Sequence, residues 1–318
     1  MGRTFVALGG NALQRAGGDG SFAEATGQMR IVARVLAELV LQEEELLLSH
    51  GNGPQVGALL RQNELARREV PPRPMFVLGA ETQGQIGYLV QQELAAALAR
   101  AKVPRVVVAL LTRVAVSPRD PAFRNPTKPV GAFYPEAEAN LLKKREGWTM
   151  VHDRARGGWR RVVPSPKPVE WLERDAVLEW LTQGFGQRWV TVLGGGGGIP
   201  VVRRAPGVYE GVDAVIDKDL TAALIAQEVR ADTLAIVTDV PAVAIGFHKP
   251  WEEWLREVTV REMETYRRRG EFGEGSMAPK VDAALEFLGH GGRRVIITDP
   301  PSLARAVRDE AGTRIVRG

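Results

Sequence analysis

Short apolar runs rich in β-branched residues alternate along this chain with longer stretches whose apolar positions recur at three- and four-residue intervals. The runs at 4–8 (TFVAL), 45–49 (ELLLS), 105–112 (RVVVALLT), 188–193 (RWVTVL), 233–238 (TLAIVT) and 294–298 (RVIIT) predict strands. Helical spacing fills the intervals at about 27–42, 84–102, 170–183, 219–230 and 277–289. Strand and helix in strict alternation predict an α/β chain, a three-layer αβα sandwich with a mostly parallel central sheet covered on both faces.

One region breaks the rhythm. Residues 113–168 hold eight of the 20 prolines, with short extended pieces, turns and one helical stretch at about 135–146. Trp148, Trp159, Phe133 and Val162 supply apolar material that a disordered linker lacks. The expectation is a small protruding subdomain, 113–168, inserted within a single domain spanning 1–318.

Composition narrows the chemistry. With 318 residues, 44% hydrophobic and 25% charged, the chain can bury a large core. No uninterrupted apolar stretch reaches the roughly 18 residues of a membrane span, and the N-terminal residues enter a strand with no leader-like succession, which reads as cytoplasmic with no membrane partner. There is no cysteine and only four histidines, without an HExxH pattern, so neither a disulfide framework nor a built-in metal site is expected. The net charge is +4, but acidic and basic residues are interleaved and no basic stripe stands out, so no nucleic-acid partner is expected.

Glycines and lysines carry the chemistry. The glycine run at 194–198 follows a predicted strand directly, as do "GGN" at 9–11 and "HGNGPQVG" at 50–57. In open α/β sheets that is where the ligand crevice lies, and glycine lets backbone N–H groups approach an anion closely. Neither a Walker A loop nor a dinucleotide fingerprint is present, so phosphate would be handled by another design. Of only eight lysines, Lys128 (NPTKPVG), Lys218 (VIDKD) and Lys280 (GSMAPK) stand in turn-like contexts suited to presenting a fixed cation. Asp217 and Asp219 are placed either to hold the neighbouring ammoniums or to cap the helix that begins near 219.

Taken together and in order, "VALGGNAL", "SHGNGPQVG", "TQGQIGY", "AFRNPTKPVG", "GWRRVVPSPKP", "GGGGIPVV", "GVDAVIDKDL" and "GSMAPKVDAAL" resemble carbamate kinase, of the amino acid kinase superfamily, over essentially the whole chain. The resemblance implies an amino acid kinase-like fold, a homodimer, and a protruding subdomain that closes over the active site. It also implies reversible phosphoryl transfer between carbamoyl phosphate and ADP, giving ATP and carbamate, with Mg2+ carried on the nucleotide. Residue by residue, it makes Gly9, Gly10 and Asn11 the cradle of the transferring phosphoryl group. Ser49, Gly51 and Asn52 fall on the carbamoyl side. Lys128 reaches in from the subdomain, Lys218 and Lys280 act on the nucleotide phosphates and transferring group, and Asp219 organises those lysines. Gly195, Gly196 and Gly197 line the nucleotide side, with Thr238, Asp239 and Val243 near the adenosine. The chain departs from the family in having five glycines at 194–198 where about four are usual, and Glu81 before "TQG" where an uncharged residue is familiar. Two alternatives stand beside this reading: an acyl-phosphate-forming relative of the N-acetylglutamate type, and a non-catalytic nucleotide sensor.

Overall fold

The computed structural model describes residues 2–10, 13–14, 18–42, 45–153, 157–273 and 275–318. An eight-stranded sheet forms the centre, in the order Glu257–Thr259, Thr313–Val316, Arg294–Thr298, Thr233–Val237, Arg3–Leu8, Glu45–His50, Trp189–Val192 and Val106–Ala109. Six of these strands run parallel. The strand Thr313–Val316 lies antiparallel to Arg294–Thr298 and is itself paired in parallel with Glu257–Thr259.

The period of two along each strand divides the core into two layers. Phe5, Ala7, Leu47, Leu234 and Ile236 face the helices Lys218–Glu228 and Met277–Gly289, packing on Ala222, Ile225 and Phe287. Val6, Leu8, Leu46, Leu48 and Ala235 face the opposite way, onto Leu36, Val40, Val90 and Leu94 of the helices Phe22–Leu41 and Met75–Arg100. The three-layer arrangement expected from the alternation is therefore the observed one, with covered strands that read as continuous apolar runs. Among the described residues, no helix is long and apolar enough to cross a membrane.

The structure revises the predicted elements in four places. The run at 105–112 is a strand only over Val106–Ala109. The chain then bends at the buried Thr112 and enters a second sheet, ordered Val208–Gly211, Ile199–Ala205, Arg113–Val116, Pro168–Trp171. The stretch at 170–183 divides into the end of that last strand and a shorter helix, Arg174–Thr182. The helix Gly53–Ala66 has no counterpart in the periodicity, because it buries only Val56 and Leu60. Val260–Arg268 has none either, with Met263 alone buried, although Thr259 and Glu262 form a full capping box at its start.

Both ends of the 113–168 excursion lie in the second sheet. Its middle makes a three-stranded antiparallel sheet, Lys128–Tyr134, Gly158–Val163 and Thr149–Asp153, covered by the helix Glu136–Glu146. Tyr134, Ala139, Leu142 and Met150 give this unit a small core of its own. The excursion's return is anchored by Trp171, fully buried, whose Nε1–H donates to Glu228 Oε2 at 2.5 Å. Glu228 closes the helix that carries Lys218 and Asp219. Trp171→Ala is expected to cost about 3 to 5 kcal/mol, through the cavity it leaves and the donor it removes. The midpoint of urea denaturation checks this, and an unchanged midpoint would show that the anchor is dispensable.

Candidate active site

The carboxyl ends of four adjacent parallel strands supply the site. Gly9 and Gly10 follow Arg3–Leu8, Gly51 and Asn52 follow Glu45–His50, the glycine run follows Trp189–Val192, and Thr238 and Asp239 follow Thr233–Val237. Each chain segment turns there toward a helix or a loop, leaving a crevice over the sheet edge.

Asp219 is the hub. It lies in the first turn of Lys218–Glu228 and is only 2% exposed. Its Oδ1 accepts from Lys218 Nζ at 2.5 Å, and its Oδ2 from Lys280 Nζ at 3.2 Å. Lys280 also donates to the Ser276 carbonyl at 3.2 Å, which fixes the ammonium from a second side. Burial pushes the Asp219 carboxyl up, but the two ammoniums outweigh it and hold the group below its ordinary 3.8.

Asp217 does both of the things its position suggested. Its Oδ1 accepts from the Asp219 backbone N–H at 2.9 Å, capping the helix, while its Oδ2 accepts from Lys128 Nζ at 2.8 Å. Lys128 opens the strand Lys128–Tyr134 of the three-stranded sheet, so this ion pair ties that sheet to the helix Lys218–Glu228. Lys128, Lys218 and Lys280 all line one cavity of about 280 Å³, together with Gly10, Asn52 and Gly196.

The glycine run lies mainly against the protein itself. A Cβ at Gly196, where φ is 63°, would strike the Asn52 carboxamide, so glycine there leaves Asn52 room to face the cavity. Gly195 and Gly197 are buried, and Gly196 is the member of the run that lines the cavity. At Gly51 the close approach is different: a Cβ would sit 3.0 Å from Gly10 N and 3.3 Å from Lys218 Cδ.

A hydrogen-bonded frame behind the crevice holds these loops. Gln83, 4% exposed, donates through Nε2 to the Gly195 carbonyl at 2.9 Å and to the Thr112 carbonyl at 3.2 Å, while its Oε1 accepts from Thr112 N at 2.8 Å. Its neighbour Thr82 accepts from Asn52 Nδ2 at 2.8 Å. Thr112 Oγ1 accepts from Gly194 N, and Thr221 donates to the Gly197 carbonyl, 2.9 and 2.8 Å respectively. These residues, with His50, were absent from the expected site. The "TQG" motif and the threonine ending an apolar run were the available signals.

The remaining expected residues divide. Asn11 lies outside the described residues. Ser49 is buried at the end of its strand, and its Oγ has no hydrogen-bond partner among the described residues. Gly9 packs its backbone on Val237. Thr238 and Asp239 line a neighbouring cavity of about 360 Å³, bounded also by Ala244, Phe247, His248 and Met277. Ser276 borders both cavities. Val243, expected beside the adenosine, is fully buried in the core, because strand alternation turns Ala242 and Ala244 toward that cavity instead. Among the described residues, no three acidic or histidine side chains gather to hold a metal. Asp217 and Asp219, the carboxylates that line the cavity, are both engaged by ammoniums.

The crevice gathers lysines and strand-end glycines without a Walker loop, and residues 2–299 match the model of the amino acid kinase family. The carbamate kinase of Thermococcus kodakarensis is 43% identical over 320 residues, covering 100% of both chains, and that of Trichomonas vaginalis is 44% identical over 316 residues, covering 99% of each. The structure of carbamate kinase from Giardia lamblia bound to AMP-PNP superposes with a TM-score of 0.91 at 38% identity, covering 100% of this chain and 99% of that one. The chain belongs to the carbamate kinases of the amino acid kinase family, and it is an enzyme, a kinase.

His50 yields a test of the site's packing. Burial holds its imidazole down at about 4, the Gly51 carbonyl acts the other way, and the Lys218 charge adds to the depression. The histidine unfolds to a group titrating near 6.5, so between about 6.5 and 4 the unfolded chain binds a proton that the folded one refuses. Stability therefore falls as pH drops through that window, by on the order of 3 kcal/mol from this group. Denaturation across pH should show His50→Gln losing that part of the slope. A parallel profile in the variant would contradict the assignment. Asp219 adds a separate loss below about 3.8, where its lowered carboxyl is finally protonated.

Proposed function

We propose that the enzyme catalyses reversible phosphoryl transfer between carbamoyl phosphate and ADP, giving ATP and carbamate. The observation that carries this reading is the convergence of Lys128, Lys218 and Lys280 on one cavity through Asp217 and Asp219. Both reacting partners are anions, and two like unit charges about 4 Å apart repel by about 4 kcal/mol at an effective dielectric near 20. Three ammoniums in a confined crevice offset that repulsion where charge is densest.

In the direction of carbamate phosphorylation, a carbamate oxygen forms a bond to the γ-phosphorus as the bond to the ADP oxygen breaks. Carbamate is already anionic, so no proton has to be removed and no general base is required. That agrees with a site whose His50 is buried and neutral. Lys218 and Lys280 hold the nucleotide phosphates and the transferring group, each locked by Asp219. Lys128, a flexible point charge, follows carbamoyl phosphate, its phosphate included, from the subdomain. Asn52, Gly51 and Ser49 belong to the carbamoyl end and Gly9, Gly10 and Asn11 to the phosphoryl cradle. The second cavity, at Thr238 and Asp239, receives the adenosine. Mg2+, brought by the nucleotide, would add charge neutralisation at the phosphates, since Asp217 and Asp219 are already engaged by ammoniums. In this reading Gly196 acts through Asn52, while Gly195 abuts His50 and Gly197 abuts the Ile216 backbone, and none of the three lines the second cavity. The enzyme is read as a homodimer of the cytoplasm, and the exposed Val106 on the edge strand of the main sheet suits a second copy.

ATP formation from ADP, Mg2+ and carbamoyl phosphate, beside acetyl phosphate and N-acetylglutamyl phosphate, is the first test. Selective turnover of carbamoyl phosphate is expected, and selectivity for the N-acetylglutamyl donor would overturn the substrate. Lys280→Ala should lower kcat by on the order of a hundredfold or more. It also leaves Asp219 with one partner, so folded protein must be quantified in the same assay. Lys128→Ala breaks a partly exposed pair, leaves the fold intact and should lower turnover as well.

A further inference from the structure

Two adjacent arginines on one subdomain strand serve two different places. On Gly158–Val163 the side chains alternate, and Arg161 turns inward, its guanidinium 4.5 Å from the Trp148 ring, in the cavity beneath the subdomain. Burial lowers its pKa from the ordinary value, as befits a structural arginine. Arg160 turns the other way and lines the same cavity as Lys128, Lys218 and Lys280.

A β-bulge in the facing strand supports that aim. The pairing of Lys128–Tyr134 with Gly158–Val163 slips between Val130 and Phe133, so that Gly131 and Ala132 have no partners of their own. Gly131 takes a φ of 70°, and the displaced carbonyl accepts from Arg160 Nη2 at 3.2 Å. The Arg160 guanidinium also lies 4.9 Å from the ring of Phe133, its cross-strand neighbour. One edge of the planar fork is thus held by a carbonyl and one face by an aromatic ring, while the residue still borders the cavity. Bulges recur where a side chain must be re-aimed toward a site.

We propose that Arg160 is a second substrate-binding cation of the subdomain, contacting the phosphate of carbamoyl phosphate beside Lys128. The inference rests on the substrate reading above and deepens it. Lysine and arginine would divide the work of holding that phosphate, with Lys128 as a mobile point charge and Arg160 as a fixed fork matched to two phosphate oxygens. Because Arg160 belongs to the subdomain and the adenosine cavity does not include it, its loss should be felt by one substrate only.

Initial-rate kinetics with both substrates varied, on wild type, Arg160→Ala, Arg160→Gln and Arg160→Lys, tests this. Glutamine keeps a donor for the Gly131 carbonyl but removes the charge. Alanine and glutamine are both expected to raise KM for carbamoyl phosphate by on the order of tenfold or more, with KM for ADP within about twofold. Lysine should recover part of the loss. Glutamine behaving as wild type would show that Arg160 only supports the bulge, and equal rises in both KM values would show a general distortion; either result overturns the proposal. Wild-type enzyme that does not turn over carbamoyl phosphate at all is a different failure, which overturns the substrate reading and the inference with it.

Discussion

A single buried carboxylate, shared by two ammoniums, organises this molecule's crevice. Asp219 is nearly sealed from solvent, and an isolated carboxylate in that position would cost several kcal/mol. It is tolerable because Lys218 comes from the same helix turn and Lys280 from a different helix, each donating to a different oxygen. The arrangement welds the N-terminal ends of Lys218–Glu228 and Met277–Gly289 together, and these helices also pack along the same face of the sheet. Stability and the make-up of the cavity are coupled here, since the ammoniums that satisfy the buried charge are also the ones that line the cavity.

Around that hub, the site is built in two layers of different character. The charged layer faces the cavity. Behind it lies a neutral one, in which Gln83, Thr82, Thr112 and Thr221 hold the glycine run and Asn52 by hydrogen bonds to carbonyls, amides and a carboxamide. Neutral partners suit that position, because further charges would compete with substrate for the lysines. His50, which burial and Lys218 both keep uncharged, fits the same pattern.

The central strands and most long helices were legible because both faces of the sheet are covered, so the apolar runs are long and the period is clean. Elements with one or two buried residues were not. The helix Gly53–Ala66 shows its start in Asn52 followed by Gly53 and Pro54, yet those residues read equally well as a phosphate loop. Of the candidate residues, the three lysines that meet at one cavity were marked by scarcity and context, and the Asp217/Asp219 pair by its place before a helix. The role of the glycine run was half legible. Glycine did mark close approach, but to the protein's own Asn52, and nothing local in the sequence distinguishes that neighbour from a ligand. Val243 failed for a simpler reason: one step along a strand exchanges a cavity-facing position for a core one. Arg160 was hidden by Arg161, since two consecutive arginines give no hint of which face each will take until the orientation of the strand is known.

The pair between Lys128 and Asp217 changes what substrate arrival means. Lys128 is already satisfied from within the protein, by a carboxylate that also caps the neighbouring helix. In the proposed function, an entering phosphate competes with this internal anion for the ammonium, so part of binding would be an exchange of partners within the protein. Because Asp217 stays in the protein, the pair presents little net charge to an approaching anion and holds few ions from solution. The subdomain's grip on its substrate would accordingly be less sensitive to ionic strength than a count of the basic residues suggests.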